Sequence, residues 1–356
     1  MKIEEIAKLS GVSRSTVSRV LNDDPNVKDS TRVRVMDVIE RVNYRPNIVA
    51  RRLASGRTNI IGLVIPATVT ALFSDPYFPG LMQGVASACN ARDFSVMLWL
   101  AEPEQERRTI GQIANNGLLD GVIVASSLMD DPLQQTLIET GIPFMLVGRH
   151  PANPNVSYVD VDNLNSAREA TAYLFRLGRR RVATITGPHN MIAGADRRAG
   201  YEAAVRDRGL ALDPSLVVEG DFTEMGGYMG AQRLLPHSPD AIFVASDSMA
   251  IGALRALRDA GRRVPEDIAV VGFDDLPAAA RSNPPLTTIR QPIQRTGQVA
   301  ADTLIEMIEE RAAQPRRIIL PTELVIRSSC GSTLPIDRSE QKEVIPSGHR
   351  NSVPVA

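Results

Sequence analysis

Apolar positions recur along this chain in two different rhythms. Over residues 1–46 the spacing is helical. Ile3, Ile6 and Ala7 form the apolar side of one helix, and Val17, Val20 and Leu21 fall at i, i+3 and i+4 of a second. Between them Gly11 is free to take the positive φ of a sharp turn, and Ser13 is placed to cap the second helix through its hydroxyl. A third helix is predicted from about Ser30 to Val42, with Val33, Met36 and Ile39 on its inner side. Two helices around such a turn spell a helix-turn-helix. Its second helix turns Arg14, Ser15, Ser18 and Arg19 outward, short or forked hydrogen-bonding side chains that suit a major groove.

The next stretch, NYRPNIVARRLASGRT, is punctuated differently. Pro46 stops the preceding helix, Asn47 is a ready N-cap, and Ile48 to Ala54 have room for two helical turns before Gly56. An isolated helix of that length is marginal, since roughly 12–15 residues are usually needed. Arg51 and Arg52 are suited to phosphates. Leu53 is an apolar knob on a polar segment: either an ordinary linker leucine or a wedge for a minor-groove base step.

From Asn59 the rhythm changes to short continuous apolar runs separated by amphipathic stretches. NIIGLVI, FSVMLWL, GVIVAS, PFMLV, RVATIT, DAIFVA and IAVVGF read as strands; helices are predicted near 78–92, 104–116, 132–140, 194–208, 247–260 and 293–311, before RRIILPTELVI. Continuous β-branched runs between helices indicate parallel strands covered on both faces. The expected architecture is an all-α head followed by an α/β core of two doubly wound parallel-sheet lobes, split near Asp160–Asn163 and rejoined near Ile289 and Leu320. The boundaries follow: residues 1–46 a DNA-binding head, 47–58 a hinge helix and linker, and 59–330 the core. Lobe 1 takes about 59–160 and 290–320, and lobe 2 about 161–289 and 321–330. The polar, aperiodic tail 331–356 is expected to be disordered. Ligands of doubly wound sheets sit beyond the carboxyl ends of the strands, so two lobes predict a cleft between those ends.

Charge sharpens this division. Residues 1–57 carry twelve Lys/Arg against seven Asp/Glu, and the remainder twenty-eight against thirty-four, so the head alone is suited to a polyanion. Cys89 and Cys330 form no CxxC pair and are expected to be reduced. His150, His189, His237 and His349 have no metal spacing, and no GxGxxG after a strand, P-loop or GxSxG occurs. These absences argue against an enzyme and against a cofactor. The start of the chain reads as an acidic helix rather than a secretory signal, and no apolar run reaches membrane-spanning length, so no membrane partner and a cytoplasmic location are expected. In that setting the sequon Asn155-Val156-Ser157 is meaningless. The body alone would also suit a solute receptor, which the basic head argues against.

With these parts in place, residues 1–330 resemble the LacI/GalR family of bacterial transcription regulators. The resemblance is carried by IEEIAKLSGVSRSTVSRVLN, NYRPNIVARRLASGRTNIIGLVIP, DRRAGY, SDSMAIGALRAL, VVGFDD and LTTIRQP. It implies a homodimer on operator DNA, most simply a repressor, with a small effector between lobes built like a periplasmic sugar-binding protein. By position it makes Arg14, Ser15 and Arg19 base readers, while Thr16, Ser18 and Asn22 hold phosphates or the fold, and Leu53 matches the minor-groove wedge; Asn47, Arg51 and Arg52 complete the DNA-binding candidates. In the cleft Arg197 and Asp274 match polar ligand clamps, Phe222 an aromatic platform, and Tyr77 and Phe78 a second aromatic wall or ordinary core. Ser246 stands where an Asn is frequent, and Arg149 where some relatives have Asp; Arg149 is suited to the ligand or to an ion pair. Trp99, the only tryptophan, is expected to end a strand on the cleft side, as core or as platform. A sugar or oligosaccharide effector is implied, with a nucleobase or nucleoside as the alternative.

Overall fold

The computed structural model describes residues 3–21, 24–44, 57–65, 72, 75–100, 117–125, 128–129, 132–150, 153, 155–310 and 314–332. The chain divides into two units, residues 1–59 and 60–356.

The first unit holds α1 (Ile3–Ser10), α2 (Arg14–Leu21) and α3 (Asp29–Arg41). Gly11 has φ +63° in the turn, and Ser13 Oγ accepts the Thr16 amide proton at 3.1 Å, so the second helix starts where its cap residue stands. Ile6, Ala7, Val17 and Val20 meet Val35, Val38 and Ile39 in one small core. The inner face of α3 therefore differs from the predicted one: Val33 is 69% exposed and Met36 40%. The buried set is Val35, Val38 and Ile39, with Val42 packed against it, a fuller i, i+3, i+4, i+7 stripe.

The second unit has two sheets, each of six strands among the described residues. The first contains β1 (Ile60–Ile65), β2 (Ser95–Leu100), β3 (Gly121–Ala125), β4 (Phe144–Val147), β5 (Tyr158–Val161) and β11 (Arg317–Leu320), in the order β2-β1-β3-β4-β5-β11. The second contains β6 (Val182–Thr186), β7 (Val217–Glu219), β8 (Ala241–Val244), β9 (Ala269–Asp274), β10 (Thr287–Arg290) and β12 (Glu323–Val325), in the order β7-β6-β8-β9-β10-β12. Both sheets thus repeat one doubly wound order. All pairings are parallel except β10 with β12, an antiparallel edge that departs from the all-parallel expectation. The runs IIGLVI and GVIVA are buried along their whole length, as strands covered on both faces must be.

Helices α4 (Tyr77–Ala91), α5 (Pro132–Thr140) and α11 (Ile293–Glu310) belong to the first lobe. The second lobe carries α6 (Asn163–Arg176), α7 (Ile192–Asp207), α8 (Glu224–Leu234), α9 (Asp247–Asp259) and α10 (Pro277–Arg281). Helices α6, α8 and α10 add to those that the sequence predicts. The predicted helix 104–116 and the tail from 333 onward lie outside the described residues. Three strands of chain join the lobes, at Asp162, at Gln291–Pro292 and at Pro321–Thr322. The last of them touches α6, with Thr322 Oγ1 2.7 Å from Ser166 Oγ.

Candidate functional site

On the head, α2 presents Arg14, Ser15 and Arg19 to solvent, while Thr16 and Ser18 are half-buried. Ser13 Oγ lies 2.8 Å from both the Ser15 and Thr16 hydroxyls, which holds the start of the helix in one arrangement. Arg14 pairs with Glu4 of α1 at 3.3 Å, and Arg19 lies 3.8 Å from Asp24. Both guanidiniums remain more than half exposed, so these pairs are weak tethers that water or phosphate readily replaces. Asn22, Asn47, Arg51, Arg52 and Leu53 lie outside the described residues.

The core contains a cavity of about 250 Å³ walled by the carboxyl ends of strands from both sheets. All seven cleft residues proposed from sequence line it: Tyr77, Phe78, Arg149, Arg197, Phe222, Ser246 and Asp274. Tyr77 and Phe78 open α4 after β1, and their rings meet edge to face at 5.5 Å. Phe222 follows β7 with φ +65°, a left-handed backbone that a bulky residue adopts only under compulsion. Its ring lies where a Cβ at Gly187 would be, so that glycine is what makes room for it. Trp99 is not at the cavity; it packs beside Met97 against the Ile60, Val64 and Leu133 cluster of lobe 1.

Arg197 is the buried cation of the site, 5% exposed. Its Nε donates to Asn163 Oδ1 at 2.9 Å, and its Nη1 donates to the Ala245 carbonyl at 2.6 Å and reaches Asp274 Oδ1 at 3.4 Å. The Phe273 ring lies 3.7 Å beneath the guanidinium carbon, a cation–π seat. Asp274, held at φ +118°, also accepts from Gln291 Nε2 at 2.6 Å. Burial pushes its carboxyl up to about 7; the charge of Asp75 adds to this, while Arg197 and Gln291 oppose it. Behind it Asp247 is fully buried, accepting from Thr288 Oγ1 at 2.6 Å and from the Leu276 amide at 2.8 Å. Burial and the neighbouring Asp274 hold its carboxyl well above the usual carboxylate range.

The two departures from the family pattern have definite roles. Ser246 Oγ accepts the Met249 amide proton at 3.3 Å, so it caps α9 as well as lining the cavity. Arg149 makes a two-pronged bond to Asp196 across the lobes, Nε to Oδ2 at 3.2 Å and Nη2 to Oδ1 at 2.5 Å. It is therefore both a lining residue and an interlobe ion pair. The Met129 amide donates to the Asn190 carbonyl at 2.8 Å, a second tie between the lobes.

Several contributors went unread in the sequence. Asn163 and Gln291 orient Arg197 and Asp274; Asp75, Asp160, Asp221 and Ser248 supply further polar walls. Position after a strand end was the available signal, because each follows or closes a strand or opens the helix beyond it. Cys89 and Cys330 are buried free thiols far apart in sequence, and among the described residues no group of His, Cys, Asp or Glu is arranged to hold a metal. No described helix is long and apolar enough to cross a membrane.

Residues 2–47 match the family of bacterial regulatory proteins, lacI family, and residues 171–330 match a periplasmic binding protein-like domain. The chain is 41% identical over 331 residues to the HTH-type transcriptional regulator CelR of Thermobifida fusca, spanning 92% of this chain and 97% of that protein. Among solved structures it is similar to a transcriptional regulator CelR–cellobiose complex, with TM-score 0.74, 40% identity, and coverage of 92% of this chain and 99% of the other. It is also similar to a Lac repressor dimer bound to operator and the anti-inducer ONPF, with TM-score 0.82, 27% identity, and coverage of 93% and 99%. These relatives are transcriptional regulators and not enzymes.

Proposed function

Because the chain belongs to the lacI family of bacterial regulatory proteins, we propose that it is a dimeric repressor released or tightened on its operator by a neutral sugar held between the lobes. Membership establishes the helix-turn-helix regulator; the repressor role, the sugar and the dimer are proposed. One observation carries the sugar: the Arg197–Asp274 clamp and the aromatic rings of Tyr77, Phe78 and Phe222 wall one cavity, in a chain 40% identical to a cellobiose-bound regulator. A guanidinium beside a carboxylate donates and accepts at once, which is what vicinal hydroxyls require. Aromatic faces cover the apolar C–H side of a pyranose.

On DNA, Arg14, Ser15 and Arg19 read base edges, and Thr16, Ser18 and Asn22 fix the register on phosphates. Asn47, Arg51, Arg52 and Leu53 act in the hinge, which folds when two copies pair on the operator and wedge Leu53 into the minor groove. Ordering that segment costs roughly 1–2 kcal/mol per residue, so it forms only where phosphate contacts and wedge insertion offset the loss. In the cleft Arg149 and Ser246 border the effector. An operator partner also places the protein's work in the cytoplasm.

The test is fluorescence anisotropy of the full chain on DNA from upstream of its own gene, with cellobiose, glucose or adenine added. A saturable specific complex whose affinity cellobiose shifts at least about fivefold is expected, in line with ordinary allosteric coupling of about 1–3 kcal/mol. Cellobiose at a hundred times its dissociation constant also raises stability by roughly 2.7 kcal/mol. A shift with adenine alone overturns the sugar, and no specific DNA complex under any condition overturns the regulator reading.

A further inference from the structure

We propose that Asp75 is the residue with which lobe 1 reads the effector, accepting hydrogen bonds from its hydroxyls opposite Asp274 and turning anionic ligands away. This rests on the cavity being the effector site. Asp75 stands just ahead of α4, and its Oδ1 accepts the Tyr77 amide proton at 3.0 Å, which fixes the carboxylate at the start of the helix. The same carboxylate lines the cavity, where Ser248 at the start of α9 in lobe 2 also stands. It is also close enough to Asp274 for the two charges to act on each other. Two carboxylates from opposite lobes thus face a single space.

The balance of charge around that space decides what it accepts. Asp75, Asp160, Asp221 and Asp274 line it, against Arg149 and Arg197. Arg149 is committed to Asp196, and Arg197 to Asn163, the Ala245 carbonyl and Asp274. An incoming anion therefore meets guanidiniums whose charge is already matched, and carboxylates that repel it once ionised. Ionised carboxylates accept hydrogen bonds and donate none, so the complementary ligand is rich in donors and carries no negative charge. Rejection of the wrong class by an unpaired like charge is specificity built from repulsion. Burial raises the Asp75 carboxyl above its ordinary value, with the Tyr77 amide and Arg197 opposing, and hydroxyls that donate to it would favour its ionised form.

Isothermal titration of the full-length protein compares cellobiose with cellobiouronic acid, which carries a carboxylate in place of one primary alcohol. Wild type is expected to favour cellobiose at least about tenfold, the scale of a hydrogen bond to a charged group. Asp75→Asn should weaken cellobiose at least about tenfold and close most of that gap. Asp75→Ser separates the two roles of the residue: its hydroxyl is still able to accept the Tyr77 amide proton, so the protein should melt like wild type yet show the same loss of discrimination. Wild type that binds cellobiose and its acid equally, or variants that discriminate like wild type, overturn the role of Asp75 alone. Wild type that binds neither sugar removes the effector reading beneath it as well.

Discussion

Asp274 concentrates the chemistry of the core in one side chain. Its ordinary value is 3.8, and burial, helped by Asp75, pushes it up to about 7 against the pull of Arg197 and Gln291. The folded protein therefore holds a proton that the unfolded chain gives up between those two values. Stability from this source is complete below the ordinary value and is lost as pH rises through about 7. Asp247, buried behind it, is raised in the same direction by burial and by the charge of Asp274. The expected result is that the apo melting temperature declines from about pH 5 to about pH 8 more steeply in wild type than in Asp274→Asn. Equal slopes would show that the carboxyl is not raised. Ligand binding has the opposite sense. Hydroxyls that donate to Asp274 favour its ionised form, so sugar affinity should rise across the same interval, visible as proton release in calorimetry in two buffers.

Elements succeed or fail as scaffolds for this site according to how closely they approach. A Cβ at Gly252 of α9 would run into the Glu224 carbonyl of α8, and one at Gly227 of α8 into the Met249 carbonyl of α9. The two helices lock through these glycines, and the start of α9 brings its cap Ser246 and Ser248 to the cavity. Gly252→Ala should cost about 1–3 kcal/mol in urea unfolding, the price of overpacking, and lower sugar affinity by tilting α9. At this scale the sequence was legible where one local rule dominated. Continuous apolar runs such as GVIVA had no reading except a covered strand, and Gly11 with Ser13 fixed the turn before α2. In α3 two stripes competed, Val33–Met36–Ile39 and Val35–Val38–Ile39–Val42, and packing against α1 and α2 selected the longer one. Asp75, Asn163 and Gln291 were not legible because their one local mark, a place beside a strand end or a helix start, is shared by many polar residues. Each is an ordinary polar residue until the fold brings strand ends from two lobes to one cavity.

At the scale of the whole core, what matters is that the lobes are already tied together. Arg149 after β4 grips Asp196 of α7, and the Met129 amide donates to the Asn190 carbonyl, with Leu128 and Met191 forming a short antiparallel bridge beside it. These contacts span the cleft, and the three connecting chain segments join the same two lobes. A ligand shifts a two-state equilibrium only by its differential affinity for the two states, so closure already favoured by protein contacts limits how much further effector can move it. The Arg149–Asp196 pair is the adjustable part of that balance, since the other tie is made by backbone. Asp196→Asn weakens the charge attraction, and Arg149→Met removes it with a side chain of similar length. Either variant should open the apo core, raising its radius of gyration in small-angle scattering, and should contract more than wild type when cellobiose is added. Burial adds a second handle: it raises the Asp196 carboxyl, with Arg149 opposing, so acidification acts in the same direction as Asp196→Asn. Identical scattering from wild type and both variants, with and without sugar, would mean that the backbone tie and the connecting segments set the opening of the cleft without help from this pair.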